Sequence, residues 1–164
     1  MSESAQGYML KPIATVVSER TEVSDDYWGG VKSIIRLNAD QPLSTLEGVE
    51  EFSHLEVVWK FHKASPDDVH LGARHARNDP QYPKTGTYAH HNHRHPAQIA
   101  VSHPRLLKIE GRDLHVEDLD AVDGTPVLHL VAYFKEMGPR GEVTQPTWPT
   151  EMLGDYWTEP KAQQ

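Results

Sequence analysis

The most regular pattern in the chain is an alternation of apolar and polar side chains at residues 54–63 (HLEVVWKFHK). Every second position from Leu55 to Phe61 is apolar. The positions between them are mostly polar: His54, Glu56, Lys60 and His62, with Val58 as the exception. Because successive side chains of a β-strand point to opposite faces, this period of two predicts a half-buried antiparallel strand with one polar face.

Other short segments also read as strands, the first of them rich in β-branched residues, and turn signals separate them. These segments are residues 8–17, 31–37, 105–109, 114–116 and 126–134. Pro12 indicates an edge or a bulge in the first, and Glu110-Gly111 and Asp123-Gly124 mark turns. Many short strands with little helical periodicity predict an all-β domain, here a compact β-barrel or a sandwich-like domain.

Three further segments are expected to lie outside the strands. Residues 43–52 predict a short helical turn that Gly48 interrupts. Residues 64–85 hold three prolines and no sustained periodicity, so they predict a long loop. Residues 135–164 form an irregular extension whose large aromatics indicate packing on the domain or on a second subunit: Trp148, Tyr156 and Trp157. We expect one domain over residues 1–164, with its core at 8–134.

Composition limits the classes of function. The chain has no cysteine, which excludes disulfides, thiolate metal ligands and a cysteine nucleophile. Its formal net charge of −8 argues against broad affinity for nucleic acid, although a local basic patch can coexist with it. We see no secretion signal or apolar run of about 18 residues, so the expected location is cytoplasmic, without membrane contact.

Residues 86–102 (GTYAHHNHRHPAQIAVS) hold four of the 11 histidines within six positions: His90, His91, His93 and His95. If the lead-in at Thr87 and Tyr88 continues as a strand, His91, His93 and His95 share one face. Three such imidazoles form either a metal site or a polar binding surface. Asp118, Asp120 and Asp123 are either oxygen ligands or turn formers. We assign no metal ligands from this pattern.

The loop at residues 21–30 (TEVSDDYWGG) ends in a glycine pair beside two aromatic side chains. Trp28 either packs in the core or lies against a ligand. Gly29 and Gly30 permit close approach of backbone to a ligand. No dinucleotide-binding glycine pattern, P-loop, G-x-S-x-G or H-E-x-x-H motif occurs, so the common nucleotide, serine-hydrolase and zinc-protease mechanisms lack support.

Three segments in order resemble the TsaA/YaeB-like family of TrmO-type tRNA N6-threonylcarbamoyladenosine methyltransferases. They are LEGVEEFSHLEVVWKFHK at 46–63, GTYAHHNHRHPAQIAVS at 86–102 and LDAVDGTPVLHLVAY at 119–133. With the N-terminal PIATVVS the likeness covers about residues 8–134. It implies a β-barrel that binds S-adenosylmethionine without a Rossmann domain and forms a homodimer with the cofactor near the subunit contact.

The resemblance also implies a set of cofactor-binding residues, carried over by position. They are Trp28, Gly29, Gly30, His62, Lys63, His91, Val101, Glu117, Asp118, Leu119 and Asp120. Two family arginines are replaced by His91 and His95, which are our candidate catalytic residues for acceptor alignment or proton removal. Because histidine is shorter than arginine and mostly neutral at pH 7, these changes weaken the expectation of tRNA binding.

The sequence therefore predicts a methyltransferase dependent on S-adenosylmethionine that acts on a small molecule or a modified nucleoside. Two alternatives stay open. One is the tRNA reaction of the family itself, which a basic patch on one surface would favour; the residues that would form it are Lys11, Lys60, Lys63, Arg74, Arg77 and Lys84. The other is a non-enzymatic, histidine-rich metal-binding β domain.

Overall fold

A computed structural model describes residues 6–161, and most of its regular structure is antiparallel sheet. The strands are β1 (Ala14–Val17), β2 (Lys32–Leu37), β3 (Leu55–Lys60), β4 (Ala73–His75), β5 (Lys84–Gly86), β6 (Ile99–Ser102), β7 (Arg105–Glu110), β8 (Asp113–Glu117) and β9 (Pro126–Ala132). Seven of them form one sheet in the order β6-β3-β9-β1-β2-β8-β7, and β4 pairs with β5 separately. This architecture confirms the prediction of a mainly β domain.

Strand β3 has the alternating burial that its sequence predicts. Leu55, Val57 and Trp59 are buried, and the residues between them are only partly buried. Their neighbours in the core come from the other central strands, and the most enclosed are Val16, Ile35, Leu114, Val116 and Val127. The core therefore lies on one face of the large sheet, because the alternation of each strand turns its apolar side chains to that face.

The prediction of a closed barrel was wrong, because the sheet has two separate edges, β6 and β7. Only His103 and Pro104 join these edge strands. The start of β7 meets the segment before β3 at an isolated bridge between His54 and Arg105, beside which Leu106 N–H donates to the Ser53 carbonyl at 2.8 Å. Pro104 accepts a hydrogen bond from Leu55 N–H at 3.0 Å, but it has no N–H of its own to extend a ladder. Beyond Leu106, the ladder partners of β7 lie on β8, which leaves the sheet open among the described residues.

Two other sequence predictions needed correction. The first strand begins at Ala14 rather than at residue 8, because Tyr8, Met9 and Leu10 are exposed and lie outside the ladder. Residues 64–85 are not one irregular loop. They contain β4 and the start of β5, joined by a turn in which Arg77 and Asn78 both have positive φ. This turn lacks the usual glycine signal, so the sequence did not indicate it.

The histidines of residues 86–102 do not share a strand face. Thr87–Ala89 is a 3-10 turn, bends follow it, and β6 starts only at Ile99. His90 is buried and hydrogen-bonds Thr85, while His91 is exposed. Alternate side chains share a face only where the backbone is extended. Because the lead-in does not continue as a strand, the shared face predicted for His91, His93 and His95 does not form.

The remaining elements are short. The predicted helical turn at 43–52 is confirmed as two 3-10 turns, Leu43–Leu46 and Val49–Glu51, which are separated by Gly48 at φ 81°. The one α-helix within the described range, α1 (Trp148–Met152), lies in the C-terminal extension. None of the helices formed by residues 6–161 has the length and apolar character needed to cross a membrane.

Candidate ligand-binding site

The site is built on the segment that follows β8. Asp118 has a positive φ of 63°, a conformation that is uncommon for a residue other than glycine. Its Oδ1 accepts a hydrogen bond from Gly30 N–H at 2.7 Å, and its own N–H donates to the Val31 carbonyl at 3.0 Å. The next residue, Leu119, is fully buried in the core. These contacts hold the acidic segment against the glycine loop in one fixed conformation.

Asp120 is the acceptor at the centre of a chain of polar side chains. Ser102 Oγ donates to its Oδ1, and the hydroxyl of Tyr156 donates to its Oδ2. Ser102 in turn accepts a hydrogen bond from Trp59 Nε1 at 2.9 Å. Both carboxylate oxygens therefore have hydroxyl partners, which fixes the orientation of the carboxylate. Burial raises the pKa of Tyr156 well above its usual range, and the charge of Asp120 raises it further.

The C-terminal arm, residues 148–159, closes the site from the other side. Tyr27 N–H donates to the Asp155 carbonyl at 3.1 Å, and Trp28 N–H donates to the Tyr156 carbonyl at 2.8 Å. A Cβ atom on Gly29 would overlap the carbonyl of Trp157. The glycine pair therefore permits close approach of backbone, as the sequence indicates, and the approaching segment is the chain's own C-terminal arm.

Two adjacent cavities lie between the arm and the sheet. The first has a volume of about 380 Å³, and its lining is Gly29, Gly30, Arg105, Glu117, Asp118, Trp157 and Glu159. The second has a volume of about 310 Å³, and its lining is Val101, Ser102, His103, Asp118, Asp120 and Trp157. Asp118 and Trp157 belong to both, so they form the wall that the two cavities share.

The charge of this double cavity is predominantly negative. Its carboxylates are Glu117, Asp118, Asp120 and Glu159, and Arg105 supplies a guanidinium in the first cavity. Such a lining favours a ligand with positive charge or with several hydroxyl donors, together with one anionic group for the arginine. The aromatic wall adds a surface for a planar ring.

The structure brings together six of the residues that the resemblance implied for cofactor binding: Gly29, Gly30, Val101, Glu117, Asp118 and Asp120. The other five lie elsewhere. Leu119 is a core residue. Trp28 is buried, with its Nε1 bonded to the Ser24 carbonyl at 3.1 Å and the Arg20 guanidinium 4.0 Å from its ring centroid.

His62, Lys63 and His91 also lie outside the two cavity linings. Lys63 Nζ donates to the Thr21 carbonyl, and His62 lies beside the turn at Gly124. Burial lowers the pKa of His62, and the charge of Lys63 lowers it further. His95, the other catalytic candidate, hydrogen-bonds the His90 carbonyl at 2.5 Å through Nε2.

Sequence reasoning missed several residues of the lining: Ser102, His103, Arg105, Trp157 and Glu159. Only the aromatic residues of the extension were indicated by the sequence, because large aromatic side chains in a terminal segment predict that the segment packs on a protein surface. Within residues 6–161, no group of three or more His, Asp or Glu side chains is placed to hold a metal ion. The alternative of a metal site in the histidine-rich stretch therefore has no ligand set in the described part of the chain.

These features define a class: a mainly β domain with an open antiparallel sheet and an acidic double cavity that the C-terminal arm covers. Residues 23–138 match the family model of the tRNA-methyltransferase O N-terminal domain. The chain belongs to this family, which confirms the resemblance drawn from its three sequence segments.

Curated relatives match over part of their length. The chain is 29% identical over 109 residues to the human tRNA (adenine(37)-N6)-methyltransferase, which covers 65% of this chain and 24% of that protein. It is 32% identical over 98 residues to a probable S-adenosyl-L-methionine-binding protein of Pyrococcus abyssi, covering 60% of this chain and 50% of the relative. The chain thus spans about a quarter of the human relative and half of the archaeal one.

The fold is shared with solved structures. The crystal structure of TrmO from Pseudomonas aeruginosa superposes with a TM-score of 0.70, covering 88% of this chain and 63% of that one. The sequence identity is 20%, so this likeness shows the common fold.

Proposed function

We propose that this chain binds S-adenosylmethionine in the acidic double cavity and transfers its methyl group to a small molecule or a modified nucleoside. The observation that carries the proposal is the pair of adjoining cavities with a shared wall of Asp118 and Trp157. One cavity is available for the cofactor and the other for the acceptor. Family membership and the printed names of the relatives support the same chemistry.

The lining fits the chemical groups of S-adenosylmethionine. The ribose hydroxyls and the ammonium group of the cofactor are hydrogen-bond donors. The carboxylates of Glu117, Asp118 and Glu159 would accept hydrogen bonds from them. Its carboxylate would pair with Arg105, and its sulfonium charge is suited to an acidic, aromatic surrounding. The cavity volumes fall in the range of small-molecule sites, about 300–1,000 Å³.

The cofactor supplies an electrophilic methyl group, and the protein's task is to hold the acceptor in line with it. Asp118 is suited to the cofactor side, because its link to Gly30 N–H fixes the carboxylate between the two cavities. His103 lines the second cavity, and its Nε2 lies 3.2 Å from Glu56 Oε1, so its imidazole is our candidate to take the proton that the acceptor loses.

The earlier candidates His91 and His95 stay a prediction. His91 is exposed on the loop before β6 and lies outside both linings, so a role for it would be in contact with a large acceptor rather than with the cofactor. Replacement of His91 by alanine is expected to reduce turnover and to leave cofactor affinity unchanged. Unchanged kinetics would remove His91 from the mechanism.

The second candidate is the tRNA reaction itself, and the printed name of the human relative favours it. Two of the lysines and arginines that this candidate needs on one surface are already paired with carboxylates of the domain. Lys11 pairs with Asp40 at 2.8 Å, and Arg77 pairs with Asp26 at 2.7 Å. A steep fall in tRNA affinity with rising salt concentration would support this candidate, and no binding at low salt would oppose it.

We also propose that the chain forms a homodimer through the outer face of β6, β3 and β9. Ile99, Val101 and Val131 are exposed there, on strands that are neighbours in the sheet. An apolar face on an edge strand is a common self-association surface. Val101 also lines the second cavity, so a partner on this face would lie beside the site. A cytoplasmic location stays a prediction.

Calorimetric titration with S-adenosylmethionine and S-adenosylhomocysteine tests the proposed function. The wild-type protein is expected to bind one cofactor per subunit with a roughly micromolar Kd. The substitution Asp118→Asn keeps the shape but removes the charge, and it should weaken binding about 10-fold or more, because charge-assisted hydrogen bonds are strong.

The matched control is Asp113→Asn. Asp113 begins the same strand, β8, but its carboxylate pairs with Arg36 at the surface, 2.8 Å away. Binding in this variant should equal that of the wild type. No heat and no thermal shift from the wild-type protein with either compound would refute the proposed function.

A further inference from the structure

Trp157 is the one side chain of the C-terminal arm that lines both cavities, among the residues described. It is 52% exposed although it lies in a concave site. The groups around it are mostly carboxylates and backbone. A large aromatic face left open in an acidic cavity is poorly explained by packing, because burying that face in the core would stabilise the fold more.

The position of the indole is fixed by its neighbours. The rings of Tyr156 and Trp157 pack edge to face, with centroids 5.0 Å apart and an interplanar angle of 85°. The Tyr156 hydroxyl is bonded to Asp120, and the Tyr156 carbonyl accepts from Trp28 N–H. The backbone of Trp157 itself lies against Gly29. An aromatic ring that is held before a ligand arrives loses little entropy on binding.

We propose that Trp157 is the stacking surface for the adenine ring of the cofactor, and that Tyr156 is a positioning residue that holds it through Asp120. This inference rests on the proposed function, since adenine is the planar group of S-adenosylmethionine. It also gives the C-terminal arm a role in binding the cofactor, because the arm supplies Trp157 to the wall that the two cavities share. The adenine ring of the cofactor then stacks on the indole of Trp157, and the carboxylates of the cavity accept hydrogen bonds from the ribose of the cofactor.

The test is a set of three tryptophan substitutions, titrated with S-adenosylhomocysteine. Trp157→Ala should weaken binding about 10- to 100-fold, the usual effect of removing a stacking partner from a base. Trp157→Phe keeps an aromatic face and should stay within a few-fold of wild type. Trp148→Phe is the matched control: Trp148 is on the same arm, with its ring 5.8 Å from His90, and it lines neither cavity. Binding by this variant should not change.

Fluorescence quenching by acrylamide provides a readout that does not depend on a destabilised variant. In the wild-type protein, S-adenosylhomocysteine should protect part of the emission from quenching, and this protected part should be missing in Trp157→Phe. Tyr156→Phe removes the hydroxyl that bonds Asp120. We expect it to make the free protein's Trp157 more quenchable and to weaken binding several-fold, while a merely structural tyrosine would leave the quenching of Trp157 unchanged.

The outcomes separate the two proposals. If the wild type binds and Trp157→Ala binds equally well, or if the ligand gives no protection, the stacking role is overturned and the proposed function stands. If the wild type binds neither S-adenosylmethionine nor S-adenosylhomocysteine, both are overturned. Far-UV circular dichroism and thermal melting identify any variant that fails to fold. For such a variant, the protection from quenching in the wild-type protein decides whether Trp157 contacts the ligand.

Discussion

Gly29 shows how a single residue shapes the candidate site. The sequence links the glycine pair to close approach of a ligand, and the structure shows the C-terminal arm at that place. Asp118 has a comparable role, since its positive φ and its bond to Gly30 set the direction of the carboxylate. A backbone conformation of this kind costs on the order of 1–3 kcal/mol in a residue other than glycine. Residues strained in this way cluster at functional sites.

The substitution Gly29→Ala tests the close contact between the glycine loop and the C-terminal arm. The added methyl would overlap the Trp157 carbonyl, so the arm must move. We expect a loss of about 1–3 kcal/mol in the free energy of unfolding, as for other overpacked positions, and weaker cofactor binding. Chemical denaturation and titration measure the two effects.

Gly86→Ala is the control, because a Cβ at Gly86 would meet no atom within 4 Å. Its stability and binding should match those of the wild type. If Gly29→Ala behaves like this control, the close contact between the glycine loop and the arm does not exist in solution.

At the scale of elements, the C-terminal arm is the part that sequence reasoning described least well. Its aromatic residues predict packing on the domain or on a second subunit, and packing on the domain is what the structure shows. Its partners could not be identified from the sequence, since Tyr156 and Asp120 are 36 positions apart and no periodicity links them. β3, by contrast, was predictable because its alternation is local.

The titration of Tyr156 predicts a pH dependence of stability that depends on the arm. An unfolded tyrosine ionises near pH 10, whereas burial and Asp120 raise the pKa of Tyr156 in the folded chain. The folded state then keeps a proton that the unfolded state loses. The free energy of unfolding should therefore fall as pH rises above about 10.

Denaturation from pH 8 to 11 measures this slope for the wild type, Tyr156→Phe and Tyr88→Phe. Tyr88 is 81% exposed and serves as the control for removal of a surface phenol. Tyr156→Phe should have a shallower fall above pH 10 than the other two proteins. Equal slopes for all three would show that Tyr156 is not buried against Asp120.

For the whole molecule, the sequence was sufficient for the mainly β class and insufficient for the closure of the sheet. Closure depends on whether β6 and β7, the two edges, pair with each other, and the described residues place these strands at opposite edges of the sheet. The local sequence pattern does not indicate whether these two strands, which only two residues separate, pair with each other. The resemblance implied the acidic segment and the glycine pair for the candidate site, but it gave no indication of two adjoining cavities.

The proposed homodimer is tested by Val101→Lys. A charge on the exposed face of β6 should dissociate the dimer in sedimentation velocity and also weaken cofactor binding, because Val101 borders the second cavity. Leu107→Lys, an exposed apolar position on the opposite edge strand β7, should leave the dimer intact. A wild-type protein that sediments as a monomer at all concentrations would contradict the proposal.

In the proposed site, the cofactor occupies the double cavity between the acidic segment and the C-terminal arm. A crystal structure of the protein with S-adenosylhomocysteine tests it most directly. We predict ligand density in contact with Asp118, with the adenine against the indole of Trp157. Density for the ligand beside His62 and Lys63, with the double cavity filled only by solvent, would contradict it.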